Sequence, residues 1–215
     1  MVVWLKTLKF DSRLKVAIID YGMGNVASVE KAIKYLGYES IVTNDPIGIN
    51  TASYIILPGV GAFNQGMENL NKLGLVDLLN KEVIINKKPF LGICLGMQLI
   101  ASIGFEPHST KGLGWIEGEV IKINEPERSI PHLGWNEITT TQNSIIDVFN
   151  KKDFYFIHSY HFKVSNSENI AATVNYGNNY VAVIKKDNIF ATQFHPEKSQ
   201  TSGLELMKSF FNYYA

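Results

Sequence analysis

In the first half of the chain, short apolar runs alternate with patterns of helical spacing. Residues 16–19 form a β-branched run that ends at a glycine-containing turn, residues 20–24, as is typical of a buried strand. From Asn25 onward apolar residues recur at helical spacing up to Gly37. Asn25 is suited to be the N-cap, and glycine is a common helix stop. We therefore predict a strand followed by a helix that packs on it.

The same order repeats further along the chain. Residues 54–57 end at the turn 58–61, residues 70–85 have the length and apolar recurrence of helical structure, and residues 90–93 return to strand. This alternation indicates a parallel sheet that is covered on both faces. Apolar residues at 204, 207, 211 and 214 repeat at helical spacing, so we expect a helix to close the chain.

Beyond Trp115 the pattern changes to shorter β-like runs separated by turn residues. These runs are residues 120–123, 154–157, 171–174, 181–184 and 189–193. Short strands joined by tight turns favour antiparallel or mixed pairing. The predicted fold class is therefore α/β, a single domain with a central mixed, mainly parallel sheet flanked by helices and a more antiparallel C-terminal half.

Composition narrows the possible partners and the compartment. The 215 residues are 46% hydrophobic, and 20 basic side chains balance 20 acidic ones, which argues against nucleic acid or an anionic membrane as a partner. No run approaches the ~20 apolar residues of a membrane span. The single cysteine cannot form an internal disulfide, and a reactive thiol favours a reducing compartment, so we expect the cytoplasm.

That cysteine, Cys94, lies in a Gly-x-Cys-x-Gly segment directly after an apolar run. Glycines two positions to either side relieve crowding at a sharp strand-to-helix turn, which leaves the central side chain facing a cleft. The amides at the start of the following helix favour a thiolate. The pattern predicts a nucleophile, and a buried structural cysteine is the alternative.

A histidine and a glutamate downstream are suited to serve such a nucleophile. In residues 195–197, His-Pro-Glu, proline favours an extended chain, in which positions i and i+2 face the same side. Glu197 could then orient His195 while the other ring nitrogen faces Cys94. A surface His-Pro turn is the alternative.

Two further sequence features concern anions and metals. The glycines of the turn 58–61 suit backbone amides that point at an oxyanion, and a simple loop is the alternative. We assign no metal and no ligand role to His132, His158 or His161, because the sequence has no carboxylate–histidine spacing typical of metal sites.

Taken together, the segments 58–61, 91–98 and 194–198 resemble class I (triad-type) glutamine amidotransferases. Four more segments resemble, within that class, the glutaminase subunits of imidazole glycerol phosphate synthase. They are residues 20–25, 112–115, 131–136 and 155–160. The resemblance runs in order through residues 15–215 as one domain, and residues 1–14 precede it as an N-terminal extension of unassigned status.

The resemblance implies a flavodoxin-like fold and hydrolysis of L-glutamine to glutamate and ammonia without a cofactor. Cys94, His195 and Glu197 would be the catalytic residues. The ammonia would pass, within a heterodimer, to a cyclase subunit that forms imidazole glycerol phosphate and an aminoimidazole carboxamide ribotide in histidine biosynthesis.

The resemblance also implies roles for residues around the triad. The oxyanion hole would use the Leu95 amide and one from Gly59, Val60 or Gly61, the latter after a conformational change. Substrate contacts would come from Gln98, Glu106, Ser159 and Tyr160. The positions facing the cyclase and the ammonia path would be Asn25, Trp135, Tyr155 and Lys198. Gln98 could instead be an ordinary helix residue, and Trp135 and Tyr155 could be core aromatics.

Two other functions remain open from sequence. A glutaminase subunit of another complex, such as one for pyridoxal phosphate synthesis, would share the triad but lack the segments 131–136 and 155–160. A non-enzymatic flavodoxin-like protein would keep the sheet without His195 and Glu197 in reach of Cys94. The distance between the sulfur and the His195 ring discriminates between enzyme and non-enzyme.

Overall fold

A computed structural model describes residues 14–141 and 145–215. Thirteen strands lie in these residues. In chain order they are β1 (Lys15–Ile19), β2 (Glu39–Thr43), β3 (Tyr54–Gly59), β4 (Phe90–Cys94), β5 (Ala101–Phe105), β6 (Ser109–Lys111), β7 (Ile116–Lys122), β8 (His132–Thr140), β9 (Asp153–His158), β10 (Tyr160–Val164), β11 (Ile170–Tyr176), β12 (Asn178–Lys186) and β13 (Ile189–Thr192). The α-helices of the same residues are α1 (Val26–Tyr35), α2 (Pro46–Thr51), α3 (Phe63–Lys72), α4 (Leu75–Leu79), α5 (Leu95–Leu99) and α6 (Gln200–Tyr213).

Nine of the described strands form one sheet in the order β2-β1-β3-β4-β13-β12-β11-β8-β9. The pairs from β2 to β13 are parallel, and the pairs from β13 to β9 are antiparallel. The predicted mixed sheet with an antiparallel C-terminal half is thus confirmed. Because β4 and β13 are neighbours, the chain just after each of them meets at one edge of the sheet.

Helices cover both faces of this sheet, and each face has its own apolar core. On one face, α1 and α6 bury residues such as Ile33 and Phe210. On the other, α3, α4 and α5 bury residues such as Leu70. The predicted N-cap is confirmed, since the Asn25 side chain accepts a hydrogen bond from the Ser28 amide. Within the described residues, no helix is both long and apolar enough to cross a bilayer.

The helical structure predicted over residues 70–85 is confirmed, but it is not one continuous helix. The chain forms α3 and α4 there and continues as a π-helical turn, Asn80–Ile85. Gly74 separates the two helices with a φ of 66°, a left-handed conformation that ends helices and that glycine adopts without strain.

A second sheet, which was not predicted from the sequence, contains four described strands in the order β10-β7-β5-β6. It packs against the α3–α5 face of the large sheet through residues such as Val120 and Phe162. Strand β9 ends in the large sheet at His158, and β10 begins in the small sheet at Tyr160. Ser159 therefore joins the two sheets, and this brings Tyr160 beside α5.

Candidate active site

Cys94 is the last residue of β4 and lies directly before α5. Its φ of 53° and ψ of −105° are unfavourable for a residue with a side chain and cost ~1–3 kcal/mol. The flanking glycines are required by space: a Cβ at Gly96 would lie 1.8 Å from the Leu57 carbonyl oxygen, and one at Gly92 would lie 2.9 Å from the Gly96 oxygen. The elbow predicted from the sequence is confirmed as a geometry.

Cys94 faces a cavity of about 400 Å³, within the usual size range of small-molecule sites. Nine of the residues for which a role was predicted from the sequence line it. They are Val60, Gly61, Cys94, Leu95, Gln98, Glu106, Ser159, Tyr160 and Lys198. His195 and Glu197 are buried beside this cavity rather than in its lining.

The His195 ring is held by Glu197. His195 Nδ1 lies 2.8 Å from Glu197 Oε1, and both side chains are 2% exposed. The His195 backbone is also fixed, because its amide donates to the Tyr155 carbonyl and its carbonyl accepts from the Ser199 hydroxyl. The expected reason for this pairing was wrong: Pro196–Lys198 form a 3-10 turn, not an extended strand.

The electrostatic environment keeps His195 protonated. Burial acts to lower its pKa, but contact with Cys94 and then the Glu197 hydrogen bond outweigh burial and raise the pKa to about 10. His195 Nε2 is buried, and no partner among the described residues makes a full hydrogen bond to it. The contact with the sulfur thus falls short of hydrogen-bond geometry, as is common in resting enzymes.

Gln98 is buried in α5 and donates two hydrogen bonds from Nε2. One reaches the Tyr160 carbonyl at 2.9 Å and the other reaches Gln193 Oε1 at 3.2 Å. Both amide hydrogens are thereby used, and Oε1 is left as an acceptor at the cavity wall. An acceptor suits a substrate ammonium group.

Glu106 directly follows β5 and also lines the cavity. Its Oε2 accepts a hydrogen bond from the Phe63 amide at 3.1 Å, which caps the start of α3. Burial raises the pKa of Glu106, and the hydrogen bond from Phe63 opposes that rise. The carboxyl group is therefore both a helix cap and a second polar group at the substrate side.

The register of β10 orients the Tyr160 backbone. Tyr160 lies opposite Lys122, and the Ser159 carbonyl accepts from the Ile123 amide. Since hydrogen-bonded and non-hydrogen-bonded pairs alternate in antiparallel strands, the N–H and C=O of Tyr160 both face away from β7. The carbonyl meets Gln98, and the N–H lies at the same free edge, beside the cavity.

The loop after β3 is more open. Gly59 is buried and lies opposite Cys94 in the strand register, whereas Val60 is 40% exposed. A Cβ at Gly59 would lie 2.2 Å from the Tyr21 hydroxyl, and Gly61 has a φ of 107°. Glycine is thus needed at 59 for space and at 61 for conformation.

The residues predicted to face a partner lie at the surface around this edge. Asn25 is exposed, and Lys198 lies on the cavity rim. Trp135 and Tyr155 are cross-strand neighbours on β8 and β9, with ring centroids 5.9 Å apart. Trp135 is 45% exposed, so the alternative that it is a core aromatic is wrong.

Three polar residues near the site were given no role from the sequence: His132, His158 and Gln193. All three are buried, and Gln193 Nε2 lies 3.8 Å from the Cys94 sulfur. The alternation of β8 and β9 contained a signal, because His132 and His158 occupy inward positions next to outward apolar residues. No group of three metal-ligating side chains gathers in residues 14–141 and 145–215.

Comparison with known proteins decides the family. The sequence profile of "Glutamine amidotransferase class-I" matches residues 17–213. The chain belongs to the class-I glutamine amidotransferase family. Among its relatives, "Imidazole glycerol phosphate synthase subunit HisH 1" of Campylobacter jejuni is 46% identical over 91% of this chain and 98% of its own length. The HisH subunit of Pelagibacter ubique is 42% identical over 93% of this chain and its full length.

Solved structures share the fold. The Thermotoga maritima structure titled "Structure of PurLQS" matches with a TM-score of 0.74 over 94% of this amidotransferase and 100% of that chain, at 17% identity. A chain titled "Crystal structure of glutamine amidotransferase" matches with a TM-score of 0.71 over 93% and 98%, at 19% identity. The recognition of a class I amidotransferase with HisH-like features is thus confirmed, as is its fold class.

Proposed function

We propose that this amidotransferase is the glutaminase subunit of an imidazole glycerol phosphate synthase in histidine biosynthesis. The observation that carries the proposal is Cys94 on a strained elbow facing a cavity beside the bonded His195–Glu197 pair. The chain that holds this arrangement is 46% identical to a HisH subunit over 91% of its length. The subunit hydrolyses L-glutamine, needs no cofactor and works in the cytoplasm, where its one thiol stays reduced.

The first half of the reaction forms a thioester. The Cys94 thiolate attacks the side-chain carbonyl carbon of glutamine, and the Leu95 amide and one amide from Gly59, Val60 or Gly61 stabilise the oxyanion. His195, protonated at neutral pH, donates its proton to the departing nitrogen, so that ammonia leaves as the C–N bond breaks.

The second half uses the same histidine as a base. Once the sulfur is acylated, its negative charge is gone, and with it the strongest influence that raises the pKa of His195. The neutral ring can then take a proton from water, which attacks the thioester and releases glutamate. The thiolate and the protonated ring are restored, so the net reaction is glutamine plus water to glutamate plus ammonia.

Substrate recognition follows from the polar groups around the cavity. The free Gln98 Oε1 and the Glu106 carboxyl suit the ammonium group of glutamine, and the N–H at the Ser159–Tyr160 edge suits its carboxylate. These contacts would place the side-chain amide next to Cys94, which lines the same cavity.

The partner surface is the outward face of β8 and β9, with Asn25 and Lys198 at its margin. Leu133, Trp135 and Ile157 are exposed on adjacent positions of these strands, and such a contiguous apolar patch is typical of an interface. Ile157 and Lys198 also line the cavity. A cyclase subunit seated on this face would receive ammonia directly from the site.

The experiment is to co-purify the chain with a cyclase subunit of imidazole glycerol phosphate synthase and to measure glutamate release with and without the cyclase's nucleotide ligand. We expect slow hydrolysis by the isolated chain, acceleration in the complex, and loss of all stimulated release in Cys94→Ala. Persistent release in Cys94→Ala would exclude the nucleophile. A pyridoxal phosphate synthase subunit serves as the control partner, and equal stimulation by it would overturn the assignment to histidine biosynthesis.

A further inference from the structure

A chain of buried polar groups runs from β8 to the candidate nucleophile. His132 Nδ1 lies 3.1 Å from His158 Nε2, and His158 Nδ1 lies 2.8 Å from the Tyr160 carbonyl oxygen. The same oxygen accepts from Gln98, which also donates to Gln193, whose Nε2 lies 3.8 Å from the Cys94 sulfur. All four of these side chains are buried.

Proton counting fixes the direction of the hydrogen bonds between the rings. A carbonyl oxygen only accepts, so His158 Nδ1 carries a proton and donates it to Tyr160. Burial lowers the pKa of His132 and lowers that of His158 to about 3, so both rings are neutral at physiological pH. His158 Nε2 is then an acceptor, and His132 Nδ1–H donates to it. His132 Nε2 lies 2.8 Å from Asn136 Oδ1, so this tautomer requires the Asn136 amide to be turned by 180° to present its NH2 group there.

The Tyr160 carbonyl is consequently held from two sides, by a ring on β9 and by a side chain on α5. Its own N–H lies at the same free edge of β10, as the strand register requires. Two donors on one carbonyl leave that residue little freedom to rotate about φ and ψ. The orientation of the Tyr160 N–H toward the cavity therefore depends on the His158 hydrogen bond.

We propose that the His132–His158 pair is a positioning device for substrate: it holds the Tyr160 backbone so that its N–H meets the α-carboxylate of the amino-acid substrate. This inference rests on the proposed glutaminase function. Neither histidine touches the reacting atoms. His132 orients His158, His158 orients Tyr160, and Gln98 and Gln193 extend the same hydrogen-bonded chain to Cys94.

A purely structural role predicts a different behaviour. His132 is stacked between Phe156 and Tyr176, with ring centroids 4.8 Å and 4.0 Å away, so the ring could serve as an aromatic filler. A filler would be replaced by phenylalanine without any effect on glutamine affinity. A positioning residue would not, because phenylalanine leaves His158 Nε2 without its donor.

Three variants separate these roles. His158→Leu removes the donor to Tyr160, whereas His158→Asn keeps an N–H near the position of Nδ1. His132→Phe keeps the aromatic stack and removes only the hydrogen bond. We expect the KM for glutamine to rise about tenfold or more in His158→Leu and about threefold to tenfold in His132→Phe, with kcat changed less. His158→Asn should restore the KM to within about threefold of the original chain.

Two rates of Cys94 alkylation distinguish a positioning role from a loss of packing, because a loss of packing would change both rates together. A diazoketone analogue of glutamine must bind through its carboxylate before it alkylates Cys94, whereas iodoacetamide needs only the thiol. We expect His132→Phe and His158→Leu to react more slowly with the analogue and at an unchanged rate with iodoacetamide. His132→Phe alone decides the question if His158→Leu does not fold.

The outcomes also separate this inference from the proposed function. An unchanged KM in His132→Phe and His158→Leu, in a complex whose original chain hydrolyses glutamine, would overturn the positioning role alone. Equal slowing of both labelling reactions would overturn it as well. A lack of glutamine hydrolysis by the original complex would instead overturn the proposed function.

Discussion

Beside the cavity, the His195 ring is buried and bonded to Glu197 at 2.8 Å, and its backbone is tied to Tyr155 and Ser199. In the cavity lining, the chain after β3 is exposed at Val60, and Gly61 has a positive φ. The candidate acid–base group is therefore preorganised, whereas the candidate oxyanion donors lie on a partly exposed loop. Such a division allows a partner to control turnover through the loop without rebuilding the base.

Glu197→Gln tests the His195–Glu197 pair and should have the largest effect on activity. The amide can turn its NH2 group toward His195 Nδ1 and so favour the wrong tautomer, and we expect glutamine hydrolysis to fall about 10²–10⁴-fold. The exposed Glu205→Gln is the matched control and should be neutral. Retention of full activity in Glu197→Gln would mean that His195 does not need its carboxylate.

The same variant has a signature in the pH dependence of stability. Because the pKa of His195 is raised to about 10, its contribution to stability is present below the unfolded value of about 6.5 and is lost as pH rises through about 10. Without the Glu197 charge the folded-state pKa falls, so the loss should still begin near the unfolded value but should be smaller and complete at a lower pH. Thermal unfolding from about pH 6 to about pH 10 measures this shift.

Gly61→Ala tests the loop after β3. Alanine at a φ of 107° is strained by ~1–2 kcal/mol, so the loop should move and aim its amides differently. We expect stimulated hydrolysis to fall about tenfold or more, while the rate of alkylation of Cys94 by iodoacetamide stays the same. If alkylation slows as much as hydrolysis, the loop after β3 and the His195–Glu197 pair are not independent.

Leu133→Asp tests whether a partner acts from the outward face of β8. Leu133 is 58% exposed, so aspartate should leave folding and the activity of the isolated chain unchanged. Burial of this charge in an interface should weaken the binding of the cyclase subunit by about tenfold or more. Titration calorimetry measures this loss, and Val148→Asp, on another exposed apolar residue, is the control.

Glu106→Gln should have the smallest effect on turnover. Its oxygen can still cap α3, and removal of a carboxylate whose pKa is raised by burial should stabilise the fold slightly at neutral pH. At lower pH the original carboxyl is protonated, so this advantage should disappear. If Glu106 contacts the substrate ammonium group, the KM for glutamine should rise by about tenfold. An unchanged KM would limit Glu106 to its capping role.

The parallel half of the fold and the elbow could be predicted from the sequence because their signals are local. Residues 16–19 and Asn25 specify a strand and a helix start over a few positions, and the glycines around Cys94 reflect close backbone approach. The break in the helical structure over residues 70–85 was not predicted, because apolar recurrence alone does not reveal that Gly74 takes a left-handed conformation.

The second sheet and the histidine pair depend on contacts between distant segments. Strands β5 and β6 are five and three residues long, too short for a clear alternating pattern. Ser159 is the one residue between β9 and β10, so a single β-like stretch of the sequence contributes a strand to each of the two sheets. His132 and His158 are 26 positions apart, and only the strand register joins them. The prediction of an N-terminal extension covers residues 1–14. Except for Leu14, these lie outside the described residues.

The crowding at the elbow also sets where this protein can change. Neither glycine beside the nucleophile has room for one additional carbon atom, since Leu57 and the helix backbone already occupy that volume. Random libraries should return glycine at 92 and 96 in every active clone, while position 60 on the rim accepts many side chains. Substitutions that change the substrate preference would therefore have to lie on the rim, while Cys94 and the two glycines beside it stay unchanged.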